Sequence, residues 1–363
     1  MGVLSKPFDE PYNVTAADYA GHLEQARAHE RDLWENNGFG IRSLEGDEDT
    51  LIWTSPYHFR SRPRLGPFVF EEASILQVMY AHVALTREEK RQMNDNAFYA
   101  SGWNGLEELR SADELKIEAG AREAVWRIGG MTYRAAPPEW TIEGKDRDVS
   151  LRFHLTANDQ AIWMTDPART ALETGDRWHM AYVDAEGELS TPERRISVSG
   201  MAWHERHIHL STEYDPAKLL KGSGLVIHNG FSRDFQVFFL TRPDLGVYRA
   251  KAVTPEGRFD FFGPNEIRMK FLHYWHDPRS GFRIPYVWHV GMENAAARLD
   301  LYAQGFARTY YLWNNLRRGV NVLYWWLAES EAEWTNKKKG GRIVHFPLKH
   351  VVHANRTFYH YTV

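Results

Sequence analysis

The chain has 363 residues, enough for one large or two medium domains and, either way, for a sizeable core. Apolar residues make up 43% and charged residues 25%, with 27 Gly and 16 Pro near average usage, which excludes disordered, collagen-like and low-complexity classes. The formal net charge is −4, so no global field draws in nucleic acid, and the absence of cysteine excludes disulfides and thiolate chemistry and fits a cytoplasmic location.

The first elements in chain order are helical. Thr15 followed by Asp18 reads as an N-cap, and Tyr19, Leu23, Ala26 and Leu33 recur near helical spacing until Asn36, Asn37 and Gly38 stop the run. Thr86 with Glu89 is a capping box opening a second helical segment. Both are expected as additions to a β protein, the first as an amino-terminal helical arm whose exposed face offers a homodimer surface.

From Ala124 onward the pattern changes to short aromatic and β-branched runs broken by turn residues. The predicted strands cover 124–128, 140–143, 149–155, 179–183, 196–209, 225–228, 235–240, 247–253, 267–275, 286–290, 298–302, 320–327 and 343–346. Turns are expected at Asp184-Ala185-Glu186-Gly187, at Pro255-Glu256-Gly257 and at Asp277-Pro278-Arg279-Ser280-Gly281, with Lys337 to Lys339 at a solvated hairpin tip. This spacing favours antiparallel barrels or sandwiches over βαβ units. The polar stretch Ser211–Gly224 is the expected boundary, giving units 1–215 and 216–363. The longest nearly uncharged apolar stretch, 319–328, is too short to cross a bilayer, and the first residues carry no apolar signal core.

The aromatic share is high, 14 Trp, 17 Tyr and 19 Phe, with 17 His beside it. Such side chains fill wide β cores and also line pockets for flat or unsaturated ligands. The densest polar cluster lies in 200–209. On a strand, alternation puts Trp203, Glu205, His207 and His209 on one face and His204, Arg206 and Ile208 on the other. A carboxylate beside imidazoles in a buried place is what general acid–base catalysis needs. The spacing His207-x-His209-x-x-x-Glu213 also allows a cupin-like metal site, although Asp260 stands where the last histidine of a cupin belongs. No phosphate loop, nucleophile elbow or dinucleotide fingerprint is present.

Three segments carry a family resemblance. Trp203-His204-Glu205-Arg206-His207, then Trp275-His276-Asp277-Pro278-Arg279-Ser280-Gly281 followed by Pro285-Tyr286-Val287-Trp288, and finally Tyr324-Trp325-Trp326 occur in the order seen in the hydroxyneurosporene synthase (carotenoid hydratase) and kievitone hydratase superfamily, which the chain resembles over about 120–335. In that family an Asp stands at Glu205, a His at Arg206 and a Glu at Trp326. The resemblance implies two tandem lipocalin-like antiparallel β-barrels, an apolar cavity at or near their junction, and no cofactor.

The expected function is a cofactor-independent lyase or hydratase acting on a hydrophobic aromatic or isoprenoid small molecule, adding or removing water or cleaving a carbon–carbon bond to release a small aldehyde. Glu205 with His204 or His207 moves the proton. Tyr274, His289 or Tyr324 holds a substrate oxygen, while Trp203, Trp275, Trp288 and Trp325 wall the pocket and Arg206 contacts substrate. The alternatives are a pericyclase or isomerase on the same fold, a carrier without chemistry, and the cupin-like metalloenzyme.

Overall fold

The computed structural model describes residues 14–45, 49–60, 63–65, 68–69, 71–92, 99–100, 104–157, 161–212, 226–242, 247–277, 283–315 and 319–358. In the first half the strands are β1 (Asp32–Ser43), β2 (Asp49–Arg60), β3 (Pro63–Leu65), β4 (Phe68–Val69), β5 (Glu72–Val83), β6 (Tyr99–Ala100), β7 (Asn104–Arg110), β8 (Lys116–Ala119), β9 (Ala124–Ile128), β10 (Met131–Ala136), β11 (Glu139–Asp146), β12 (Val149–Ala157), β13 (Ile162–Trp163), β14 (Asp176–Ser190) and β15 (Arg195–Ser211). The second half adds β16 (Val226–Phe231), β17 (Gln236–Arg242), β18 (Val247–Thr254), β19 (Gly257–Phe262), β20 (Ile267–His276), β21 (Arg283–Glu293), β22 (Ala297–Asn315), β23 (Gly319–Asn336) and β24 (Ile343–Phe358).

They form two curled sheets, each a half-barrel, in the order β7-β5-β2-β1-β15-β14-β12-β11-β10-β9-β8 and β19-β18-β17-β16-β24-β23-β22-β21-β20. Each sheet is made of two meanders joined by pairing its first strand with its last, β1 with β15 and β16 with β24. Main-chain pairing of neighbours by short turns explains the meanders, and the pairing of first strand with last joins the two meanders into one continuous sheet. Sheet membership changes between β15 and β16, across the predicted boundary, while β3 and β6 of the first half pair with β22 of the second sheet.

Alternation along the strands makes three apolar layers. The concave side of the first sheet holds Phe39, Trp126, Tyr133, Trp140 and Phe153; that of the second holds Trp288, Trp326, Tyr324 and Phe239. A third layer lies between the sheets, where Trp53, Met79, Trp178 and Trp203 of the first meet Phe231, Phe238, Phe306 and Trp325 of the second. Removing a side chain such as Trp126 or Trp288 from water is worth roughly 4–6 kcal/mol by transferred area, so these layers dominate stability. Tyr182 of β14 donates its hydroxyl to Val237 O at 3.0 Å, one hydrogen bond across the middle layer.

The largest departures from the sequence reading lie at the amino end. The expected long helix is a 3-10 turn, Ala16–Tyr19, and a short helix, Leu23–Ala28, after which residues 32–43 become β1. Strand pairing with β2 and β15 on both sides outweighs weak helical periodicity there. The segment packs on the first sheet through Tyr19, Leu23 and Ala26, which are buried, while Glu24, Ala28 and His29 on its other face stay exposed. The capping box at Thr86 is present as predicted, opening the helix Arg87–Arg91. Residues 184–187 are the middle of β14 rather than a turn. A Cβ on Gly187 would lie 2.1 Å from Arg152 O, so the glycine serves close strand approach. The turn at 255–257 joins β18 to β19, and Lys337–Lys339 form a 3-10 turn between β23 and β24. Residues 278–282 lie outside the described residues, between the paired strands β20 and β21. No helix among the described residues is long and apolar enough to cross a membrane.

Candidate functional site

The site is built on β15, which runs between β1 and β14 in the middle of the first sheet. Glu205 sits opposite Gly38 and Met180, and His207 opposite Asn36 and Trp178. Trp203, Glu205 and His207 alternate onto the face that meets the second sheet, and His204 and Arg206 onto the concave face, as the period of two requires.

Two glycines of β1 shape this face. A Cβ on Gly40 would stand 1.9 Å from the Trp203 ring and one on Gly38 would stand 2.5 Å from the Trp53 ring, so both indoles lie over bare backbone. Trp203 stacks on Trp53 at 5.9 Å and 27°, and Trp325 of the second sheet meets Trp53 edge-on at 5.2 Å and 76°. Trp53 Nε1 donates to Gln77 Oε1 at 2.8 Å and to the Tyr57 hydroxyl at 3.2 Å, fixing the plane of its ring.

Beside this wall runs a polar line. Asn36 Oδ1 accepts from the His207 backbone N–H at 2.9 Å, which orients the amide so that Nδ2 donates to Glu205 Oε1 at 2.7 Å. Asp176 Oδ1 accepts from His207 Nε2 at 2.6 Å. Trp178 stacks on His207 at 5.0 Å and 16°, and Trp34 meets it edge-on at 4.7 Å and 86°. Burial pushes the Glu205 carboxyl up from its ordinary value, against the opposing pull of the Asn36 amide and the His207 imidazole. Burial, and then the charge of Glu205, push the Tyr57 phenol up as well, so its hydroxyl stays protonated. The arrangement therefore holds a carboxyl biased toward its neutral form beside an imidazole anchored by a carboxylate, under a roof of indoles.

The other predicted residues are placed elsewhere. His204 donates Nδ1 to Gly38 O at 2.9 Å and accepts from the Tyr19 hydroxyl at Nε2, 2.8 Å away, inside the first sheet. Burial lowers its pKa to about 3, so it is a neutral structural side chain. Arg206 is fully buried on the same side, bound to Glu35 Oε2 at 2.7 Å, Ala20 O at 2.7 Å and Asn36 O at 2.9 Å. It fastens the 3-10 turn to the sheet and does not face Glu205. Trp288 packs in the concave core of the second sheet, which turns His289 outward, where Asp300 Oδ1 accepts from its Nε2 at 3.0 Å. Tyr324 donates to Asp277 Oδ2 at 2.6 Å within that core, and Trp275 packs there beneath Arg308 at 3.7 Å. Tyr274 is half-buried under the Arg283 guanidinium at 4.6 Å. Of the predicted set, the structure brings together Trp203, Glu205, His207 and Trp325.

For the metal reading, Glu213 lies outside the described residues. Among the described residues no group of three or more His, Asp or Glu side chains is arranged to hold a metal. His207 spends Nε2 on Asp176, and His209 Nε2 lies 3.1 Å from the Ser211 hydroxyl.

Sequence reasoning missed Asn36, Trp53, Tyr57, Asp176 and Trp178. The alternation Trp34-x-Asn36-x-Gly38-x-Gly40 was the available signal for β1, hidden by the reading of Asn36 to Gly38 as a helix stop. The pairing of Asp176 with His207 follows only from the register of β14 on β15.

No protein-family model matches the chain, and no curated protein does. Among solved structures it is similar to a Nitrosomonas europaea protein provisionally assigned as AttH (NE1406), with a TM-score of 0.56 and 12% identity over 98% of this chain and 99% of that one. At this identity the likeness is one of fold, two tandem curled β-sheets along the whole length of both chains.

Proposed function

We propose that the chain is a cofactor-independent acid–base lyase or hydratase for a hydrophobic aromatic or isoprenoid small molecule, as the resemblance to the carotenoid hydratase and kievitone hydratase superfamily implies. The observation that carries the reading is the juxtaposition of Glu205, biased by burial toward the protonated acid, with His207 anchored on Asp176, on one face of β15. With Nε2 engaged by Asp176, Nδ1 is the nitrogen of His207 that takes or gives a proton. A neutral Glu205 donates a proton to a double bond or leaving oxygen, His207 accepts one from water or from a substrate hydroxyl, and the indoles of Trp53, Trp203 and Trp325 hold the apolar body.

The test is a screen of phenolic and isoprenoid compounds read by product mass, followed by Glu205→Gln. Gain or loss of water, or release of an aldehyde, is expected, with turnover falling about a hundredfold or more in the variant while its unfolding transition is kept. Wild-type activity should fall as the pH rises through the raised pKa of Glu205. Turnover kept within about threefold in Glu205→Gln removes the assignment. A product of unchanged mass points to the pericyclase or isomerase, and a compound bound and recovered unaltered points to a carrier.

A further inference from the structure

A cleft of about 610 Å³ opens between the two sheets, and none of Trp53, Glu205, His207 or Trp325 lines it. Leu44, Phe231, Phe306 and Leu348 give it apolar walls, and Lys90 and Lys349 supply positive charge. Behind these lysines lies the fully buried pair Arg42 and Asp49, with Arg42 Nη2 2.7 Å from Asp49 Oδ1. The same carboxylate receives Lys349 Nζ at 3.2 Å and is in contact with Lys90 Nζ, which also reaches Glu329 Oε1 at 2.5 Å.

Three cations thus share two carboxylates, and the group carries a surplus positive charge. Arg42 is wholly buried and stands behind the lining of the cleft. At the rim Arg87 pairs with Glu331 and Arg233 with Glu45, while Arg91 adds a further exposed positive charge. Burial first, and then the charge of Arg42, depress the Lys349 ammonium against the opposing pull of Asp49. An uncompensated charge next to apolar walls is costly unless an anion completes it.

We propose that this cleft binds an organic anion with an apolar body, its head group between Lys90 and Lys349 and its body against Leu44, Phe231, Phe306 and Leu348. The volume lies in the range of small-molecule sites, and the chemistry is that of a carboxylate on a hydrocarbon or aryl frame. This site is separate from the Glu205 face and stands whether or not that face is catalytic.

The test is calorimetric titration of the full chain with decanoate, decanol and inorganic phosphate. Saturable binding of decanoate is expected, with decanol weaker by about tenfold or more because it cannot form charge-assisted hydrogen bonds. Lys349→Met should weaken decanoate by about tenfold, whereas Glu205→Gln should leave it unchanged. The exposed pair change Arg87→Gln with Arg91→Gln, which touches no buried group, should lower affinity more modestly and guards against misfolding of the lysine variant. Equal binding of decanol and decanoate, phosphate binding as tight as decanoate, or decanoate affinity lost in Glu205→Gln but kept in Lys349→Met would each overturn the proposal.

Discussion

The two sheets share a plan and differ in what they carry. Each joins two meanders by pairing its first strand with its last, and each sets a pair of buried imidazoles near one another on its concave side, His179 with His204 at 6.0 Å and His228 with His350 at 6.0 Å, the first sheet burying His58 there as well. The convex faces differ. On β15 that face reads Trp203, Glu205 and His207, laid over the bare backbone of Gly38 and Gly40, whereas on β24 it reads Lys349 and Val351. The shared concave packing supports the curl, and the Glu205–His207 pair lies on the convex face of the first sheet, where the second sheet covers it.

The largest expected effect comes from filling the floor under Trp203. Gly40→Ala sets a Cβ 1.9 Å from a fully buried indole and should cost about 3 kcal/mol, whereas Gly291→Ala, outward on the second sheet with its nearest neighbour at 3.9 Å, should be near neutral. Denaturant titrations compare the two, and equal losses would mean that the first sheet's convex face is not specially built.

Acid comes next and should treat the sheets alike. Burial lowers both His204 and His350 to about 3 in the folded chain, against 6.5 unfolded. The unfolded chain therefore takes up these protons first, so the contribution is whole above about 6.5 and drains as the pH falls toward about 3. At pH 5 each imidazole should withdraw about 2 kcal/mol. His204→Gln and His350→Gln should each flatten the acid limb by that amount when stability is measured against pH. An unchanged limb in one of them would separate the two interiors. Glu205 acts with the opposite sign, because its raised folded pKa makes its contribution whole at low pH and lost as the pH rises.

The smallest effect belongs to the rim contact between the sheets. Arg233 and Glu45 are both more than half exposed, so Arg233→Ala should shift stability by no more than about 0.5 kcal/mol, and less in high salt. A larger loss would make this pair a structural link between the two halves.

The fold was legible from Ala124 onward because aromatic and β-branched runs recur there, and the predicted runs fall on the strands from β9 to β24 except β10, β13 and β19, with ends that differ most where β22, β23 and β24 run on beyond them. It was less legible before that point. Residues 15–36 carry an N-cap and helical spacing, and only the availability of β2 and β15 as partners makes a strand of 32–43. The site divides in the same way. The split of 203–209 into two faces needs only alternation, and Glu205 with His207 followed from it.

Which face is buried against what was decided by the tertiary structure. His204 and Arg206 stand one residue from Glu205 yet serve the concave core, and Trp288 took the inside of the second sheet and left His289 outside. The sequence by itself determined the β class, the alternation and the residue types available for proton transfer, because these depend on local spacing. The tertiary structure decided that Asp176 orients His207, that Asn36 holds Glu205 and that Trp325 roofs Trp53, because each contact joins residues far apart in the chain through strand register and sheet packing.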